Sequence, residues 1–456
     1  MNLQPAPIQR ASYPVRTDGH VRVYVDGVES FERIGAAALA ATKRLWVTVS
    51  FVDLQIRLPG IEMTLLELAD SAASRGVDVR LLFWWSEFPG IGSFRGDEDE
   101  IAELRRRGSR VKMRWDHIQR GCHHQKSWFI DDGPAFVGGI NITDEALSTP
   151  DHSGAGFHDL FAGIEGEAAL DVGRNFVDRW NQASVTRDRA HAFPSIEHAD
   201  DLPEIPERRF SPSRESRQAA QVVRTIGPQL YGGRRGWNGA EPVSLEAGEH
   251  GIRDTLHEWI KAARRSIYIE NQFLIDPPSI RLLCDAAQRG VEVIAVLPGE
   301  PDPNLLLYPE DDMVQTRAEL EKLGRLDNIG LFSLAHETES ATPIYVHSKL
   351  LIVDDRLIMI GSANIWPPSL STDTELNVAC WDQELARSTR TRLWEEHLRG
   401  KPASGLEDWL RLAREAAEGR RDGRTAAVRI VPLEPAGYYK FSRDIDAPWR
   451  EVEESS

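Results

Sequence analysis

Cysteine is scarce in this chain of 456 residues: Cys122, Cys284 and Cys380 are the only three. So few, so scattered, they exclude a disulfide framework or a thiolate zinc cluster and are expected as core thiols. Long apolar runs are also missing. No stretch approaches the eighteen apolar residues of a spanning helix, and the opening "MNLQPAPIQRASYPVRTDGH" lacks the apolar centre of a secretory signal. A cytoplasmic location is the expectation. Positive charge is short as well, with 54 Lys and Arg against 71 Asp and Glu, a formal balance of −17. That field opposes a large polyanion, because nucleic-acid affinity rests mainly on phosphate neutralisation. Nucleic acid is an unfavoured partner.

What the chain does have is a repeat. "HHQKSWFIDDGPAFVGGIN" holds His124, Lys126, Asp131, Gly138, Gly139 and Asn141, and "VHSKLLIVDDRLIMIGSAN" holds His347, Lys349, Asp354, Gly361, Ser362 and Asn364. Both read H-x-K-x4-D-x6-G-[GS]-x-N, 223 residues apart. One short match arises easily by chance; two with the same internal spacing do not. The repeat is wider than the motifs. "AALAATKRLWVTVSFVDL" then "LLELADSAASRGVDVRLLFWW" parallels "TLHEWIKAARRSIYIENQFL" then "IRLLCDAAQRGVEVIAVLPG". Each is a helical pattern, a β-branched run, a helix ending at Arg-Gly and a buried-looking strand. Gly76 and Gly290 stand where a helix C-cap needs a left-handed residue.

These patterns predict an α/β fold of two halves, each a mixed sheet flanked by helices, related by a pseudo-twofold axis. With 41% hydrophobic residues the chain can bury a sizeable core. Residues 20–192 are expected as the first half, 193–245 as a Pro- and Ser-rich linker with an active-site loop, 246–415 as the second half, and 416–456 as an extension packed on it.

Each motif is expected as a β-hairpin. Residues i and i+2 share a strand face, so His124 and Lys126 should project together, as should His347 and Lys349. Asp131 and Asp354 fall at the corner, where a carboxylate fixes the turn. Gly139 and Ser362 are small enough to let backbone and the amides of Asn141 and Asn364 approach a ligand. One half offers an imidazole, an ammonium and an amide, half a site for a tetrahedral anion. Two halves offer two histidines across one phosphate, with Lys126, Lys349, Asn141 and Asn364 about its oxygens. One histidine can attack phosphorus while the other protonates the leaving alcohol and later deprotonates the acceptor. No metal and no cofactor is needed.

The motif H-x-K-x4-D resembles the one that defines the phospholipase D superfamily. The resemblance runs from about residue 20 to 400 and includes "RSIYIENQFL" and "FHDLFAGIEGEAALDVGRNFVDRWNQAS". It implies that His124 is the nucleophile and His347 the general acid, and that each is oriented by a carboxylate further downstream. Asp159 and Glu375 are the candidates, with Asp373 competing for the second role. It also implies a phosphodiesterase that cleaves the headgroup ester of glycerophospholipids, with transfer to an alcohol as a side activity. A phospholipid synthase of cardiolipin type and a nuclease or other non-lipid phosphodiesterase are the other readings. The phospholipid or other phosphodiester substrate is the expected partner, with peripheral membrane contact.

His123 faces away from His124 and reads as structural. A zinc site from His123, His124, Asp131 and Asp132 lacks closed tetrahedral spacing and has no counterpart in the repeat. Trp84, Trp85, Phe88, Phe94, Leu305, Leu306, Leu307 and Tyr308, on two equivalent loops, are candidates for acyl-chain or membrane contact; Arg234, Arg235 and Trp237 are candidates for a headgroup. Trp366, Pro367 and Pro368 make the rim after the second motif apolar and rigid.

Overall fold

Runs rich in Val, Ile, Leu and aromatics become strands, and the two halves build the same sheet twice. The computed structural model describes residues 4–8, 13–85, 99–117, 121–152, 156–183, 200–207, 218–230, 235–237, 242–299, 310–338 and 342–433. The first sheet contains β1 (Arg16–Val25), β2 (Arg44–Val49), β3 (Asp78–Trp85), β4 (Lys112–His117), β5 (Lys126–Ile130), β6 (Ala135–Gly138) and β7 (Leu160–Glu165). Its order is β4-β3-β2-β5-β6-β7-β1, with β2, β3 and β4 parallel and the other pairings antiparallel. The second contains β8 (Gln218–Ile226), β9 (Ser266–Asn271), β10 (Glu292–Val296), β11 (Ile329–Ala335), β12 (Lys349–Val353), β13 (Leu357–Gly361) and β14 (Glu375–Trp381). Its order, β11-β10-β9-β12-β13-β14-β8, repeats the first strand for strand and sense for sense. β1 and β8 pair at Arg16 with Ala220 and Gly19 with Gln218, joining the two sheets.

The helices follow the same duplication. α1 (Gly27–Leu39), α2 (Leu65–Ser74) and α3 (Asp99–Arg106) cover one face of the first sheet around Phe31, Leu68 and Leu81. α5 (Gly251–Ala262), α6 (Pro277–Gln288) and α7 (Glu310–Leu323) do so for the second around Trp259, Leu283 and Val293. α4 (Glu167–Ala183), α9 (Gln383–His397) and α10 (Leu406–Arg421) fill the shared interior, where Trp46, Phe129 and Trp180 join one core with Tyr268, Ile352 and Trp409. α8 (Pro367–Ser371) is a short turn beside the second motif. Local chemistry sets the ends. α2 opens with a Thr64–Glu67 capping box, and α6 with Asp276 accepting from the Ser279 N–H ahead of Pro277. Just beyond these helices Gly76 and Gly290 take φ 92° and 91°, which a side chain would resist.

Two stretches differ from the sequence reading. Gln218–Ile226 lies inside the expected linker but is β8, buried along its whole length. Its alternation is hidden because polar residues occupy inward positions: Arg224 is buried between Glu249 and Asp178, at 2.9 Å from each. The expected boundary at 415/416 falls within α10, and β15 (Ile430–Pro432) adds to the edge of β11. Among the described residues, no helix is long and apolar enough to cross a membrane.

Candidate active site

The two motif aspartates nail the hairpins to the sheet. Asp131 sits at the corner with φ 53°, and its carboxylate accepts the backbone N–H groups of Thr42 (3.1 Å), Lys43 (2.7 Å) and Arg44 (3.1 Å). Asp354, at φ 55°, takes those of Arg264 (3.0 Å), Arg265 (2.7 Å) and Ser266 (3.0 Å). Each therefore fixes the start of the central strand, β2 or β9. Partial burial raises the Asp131 carboxyl, but the N–H groups of Lys43, Arg44 and Thr42 outweigh it and hold the group below the usual range.

The histidines stand one step outside these hairpins. The ladders begin at Lys126 and Lys349, so each histidine precedes its strand and is held instead by the other half. His124 N–H donates to Thr374 O at 3.1 Å, and Thr374 N–H to Cys122 O at 3.0 Å. In the mirror relation, His347 N–H donates to His158 O at 2.8 Å, and His158 N–H to Tyr345 O at 2.9 Å. Thr374 precedes Glu375, and His158 precedes Asp159. The stitching thus carries each carboxylate to the histidine of the opposite half.

Accordingly, His124 Nδ1 lies 2.9 Å from Glu375 Oε1, and His347 Nδ1 lies 2.6 Å from Asp159 Oδ2. For His347 this corrects the expectation of a downstream carboxylate, because Asp159 lies upstream, in the other half. Asp373, the competitor, instead accepts the Cys122 N–H at 2.7 Å. Ser362 O is 3.1 Å from His124 Nδ1. With two acceptors around it Nδ1 is assigned the proton, which leaves the Nε2 lone pair for chemistry. Glu375 is itself held by the hydroxyls of Ser362 (2.5 Å) and Ser369 (2.6 Å), and Ser369 accepts from Trp366 Nε1 at 2.7 Å. Gly139 occupies the position of Ser362 in the repeat, and a Cβ there would lie 2.4 Å from Asp159 Oδ1. Asp159 takes the room that the missing side chain leaves.

The cations and amides are nearly sealed from solvent. Lys126 and Lys349 are each 2% exposed. Lys126 Nζ donates to His124 O at 2.8 Å; Lys349 Nζ donates to Gln272 Oε1 at 3.1 Å and to His347 O. Asn364 Nδ2 shares Gln272 Oε1 at 3.2 Å, and Asn141 is buried at the matching place. Phe51 stands edge-on to His124 with centroids 6.3 Å apart, and Phe157 stacks on His347 at 5.6 Å.

One electrostatic centre results. Burial, together with both Lys126 and Lys349, holds His124 well below its ordinary value, so its imidazole is neutral. Burial lowers Lys126 to about 8 and raises Asp159 to about 6 and Glu375 to about 7. Both ammonium groups act on both carboxylates, opposing that rise. Asp373, pushed up to about 8 by burial and by Glu375, is protonated at neutral pH.

Other sequence candidates separate. His123 is buried 3.1 Å from Asp116 Oδ2 beside Arg179, which with burial lowers it to about 3; Asp132 pairs with Lys43. The imagined four-ligand zinc set is therefore dispersed. Trp84 packs against Phe51, and Trp366 stacks on Phe273 at 5.0 Å. Phe88, Phe94, Arg234, Leu305, Leu306, Leu307 and Tyr308 lie outside the described residues, as do the side chains of Arg235 and Trp237. Gln272, Ser369 and the crossing of the carboxylates were missed. Only the quoted "IENQF" segment pointed toward Gln272.

Comparison with known proteins agrees with this geometry. The family profile described as "Cardiolipin synthase, PLD-like domain" matches residues 256–396. Over 85% of its length the chain is 25% identical to phospholipase D A of Dictyostelium discoideum, of which it spans 36%. Over 82% it is 24% identical to a cardiolipin synthase of Staphylococcus aureus, of which it spans 66%. It thus spans less than two thirds of either relative. The crystal structure of phosphatidylserine synthase from Haemophilus influenzae Rd KW20 superimposes with a TM-score of 0.57 at 13% identity, covering 88% of this chain and 91% of that one, which shows a shared fold. A PLD-like domain over residues 256–396, with relatives named phospholipase D and cardiolipin synthase matching more than four fifths of the chain, supports the phospholipase D superfamily as what this twice-occurring motif resembles.

Proposed function

We propose that the chain is a phosphatidyl-transfer enzyme that cleaves the headgroup ester of glycerophospholipids, working chiefly as a phospholipase D. The observation that supports it most is the crossed pairing of His124 with Glu375 and His347 with Asp159. His124 Nε2 attacks phosphorus, and the bond to the headgroup oxygen breaks as His347 donates its Nε2 proton to that oxygen. Glu375 stabilises the positive charge that builds on His124 as the N–P bond forms. Lys126 and Lys349, in a site screened from water, neutralise the non-bridging oxygens. His347, now neutral, takes a proton from water or an alcohol; the new O–P bond forms, the N–P bond breaks, and phosphatidate or a phosphatidyl ester leaves. No step calls for a metal at the phosphate.

A second reading differs only in the acceptor. The family profile and the staphylococcal relative both carry the name cardiolipin synthase, which favours a lipid alcohol such as phosphatidylglycerol in the second step. Incubating the purified chain with vesicles of phosphatidylcholine and phosphatidylglycerol plus a few per cent ethanol separates the readings. Phosphatidate with phosphatidylethanol supports the lipase, and cardiolipin with free glycerol supports the synthase. A cleaved oligonucleotide control without lipid products overturns both.

A further inference from the structure

Between the two halves lies a second buried cluster, of side chains that the phosphodiester chemistry above does not use. Asp26 follows β1 and precedes α1, His152 and His158 come from the segment between β6 and β7, and Glu396 comes from the last turn of α9. Asp26 and His158 are 0% exposed, His152 is 1% exposed and the Glu396 side chain 7%. One ligand atom from each of the four lies within 4.8 Å of the others.

We propose that this seam binds one divalent first-row transition-metal ion, zinc by preference, through Asp26, His152, His158 and Glu396. Two imidazole nitrogens and two carboxylate oxygens form a donor set that zinc takes in tetrahedral geometry, with bonds of about 2.0–2.1 Å and edges of about 3.3 Å. Three edges of one atom set are present, His152 Nε2 to Glu396 Oε1 3.1 Å, His158 Nδ1 to Asp26 Oδ1 3.2 Å and His158 Nδ1 to Glu396 Oε1 3.4 Å, and the second Asp26 oxygen, Oδ2, lies 3.7 Å from His152 Nε2. The three edges lie close to the tetrahedral value.

A second observation points the same way. Asp26 Oδ2, His158 Nδ1 and Glu396 Oε2 are buried and have no hydrogen-bond partner among the described residues. Orphaned polar atoms in such a place are costly, and a cation held by the cluster would satisfy His158 Nδ1 directly and neutralise the two carboxylates whose second oxygens, Asp26 Oδ2 and Glu396 Oε2, lack partners. A proton on His158 would serve one carboxylate oxygen and leave the rest unpaired. The surroundings also fit. His158 Nε2 lies 2.9 Å from Glu270 Oε2, a carboxylate that accepts the Ser348 hydroxyl at 3.0 Å, so its other nitrogen is turned toward the cluster. Asp26 Oδ1 accepts the Asp159 N–H at 3.1 Å. An ion here would fasten the halves together and hold the loop that delivers Asp159 to His347. The sequence gives little sign of it, because Asp26 and Glu396 are 370 residues apart.

The test is metal stoichiometry on the full chain, independent of lipid turnover. The protein is stripped with chelator, equilibrated with zinc chloride, gel-filtered and analysed by mass spectrometry of the metal. The expected result is one zinc per chain, retained by His124→Asn, with affinity at least ~10–100-fold lower in His152→Asn and Glu396→Gln. Cobalt in place of zinc should give the intense visible bands of four-coordinate Co²⁺. Wild-type protein that holds well under one zinc per chain, or that loses it in His124→Asn alone, overturns the proposal whether or not the two ligand variants fold.

Discussion

Glu375 of the second half lies 2.9 Å from the Nδ1 of His124 in the first. Since Asp159 reaches His347 in the reverse sense, at 2.6 Å, neither half supplies the carboxylate that holds its own motif histidine. Duplication here does more than double the number of groups. It makes the alignment of each histidine depend on docking of the other half, through the His124–Thr374 and His347–His158 backbone bonds.

The histidines are predicted to be unequal when separated. His124→Asn and His347→Asn should each lower turnover of a natural phospholipid by ~10³-fold or more. With a p-nitrophenyl phosphodiester, whose leaving group needs no proton, His347→Asn should keep a burst of product while His124→Asn shows none. Stopped-flow absorbance reads this directly.

The pH profile of kcat/KM should be a narrow bell. Glu375, raised to about 7, must be ionised to hold the His124 proton, so the rate falls as pH drops through that value. Lys126, lowered to about 8, must be charged to neutralise the phosphate, so the rate falls again above it. Glu375→Gln should cut the rate ~10²–10⁴-fold and leave an acid limb set by Asp159 near 6. An unchanged acid limb in that variant would remove Glu375 from this role.

Gly139 and Ser362 should respond very unequally to the same residue. Gly139→Ala places a Cβ 2.4 Å from Asp159 Oδ1, so it should displace that carboxylate and lower kcat far more than KM. Ser362→Ala removes one hydroxyl from Glu375, which keeps the hydroxyl of Ser369, and should cost only about tenfold. Steady-state kinetics on both variants check the contrast.

Asp131→Ala should cost stability and leave chemistry alone. Losing a carboxylate that holds three backbone N–H groups should destabilise by ~1–2 kcal/mol after allowance for its partial exposure. Because the folded carboxyl sits below its usual value, that contribution is present above pH ~4 and is lost as pH falls through the lower, folded value. Urea titrations of wild type and variant should converge in acid, with equal rates per folded molecule at neutral pH.

Much of the architecture was legible because each half advertises itself by order: Lys/Arg-ended helix, β-branched strand, helix closed by Gly76 or Gly290, strand, then hairpin. The α/β duplication read from that order is the fold observed, and the two sheets repeat each other in strand sense as well. Pairing across the halves was not legible. Chain order says nothing about which loop threads beside which histidine, and the bonds at Thr374 and His158 that decide it are made by backbone atoms. β8 escaped notice for a different reason, since a buried Arg224 breaks the apolar pattern and is tolerated only by the ion pairs around it. Ser369 and Gln272 are ordinary polar residues until the fold places one on Glu375 and the other between Lys349 and Asn364.

The most direct test of the account is to quench His347→Asn with a short-chain p-nitrophenyl phosphatidyl diester, digest it, and map the adduct by mass spectrometry under conditions that preserve phosphoramidates. One phosphatidyl group on the peptide bearing His124, absent from His124→Asn, is the predicted result. An adduct on another residue, or steady turnover with none at any time point, would contradict covalent transfer through His124.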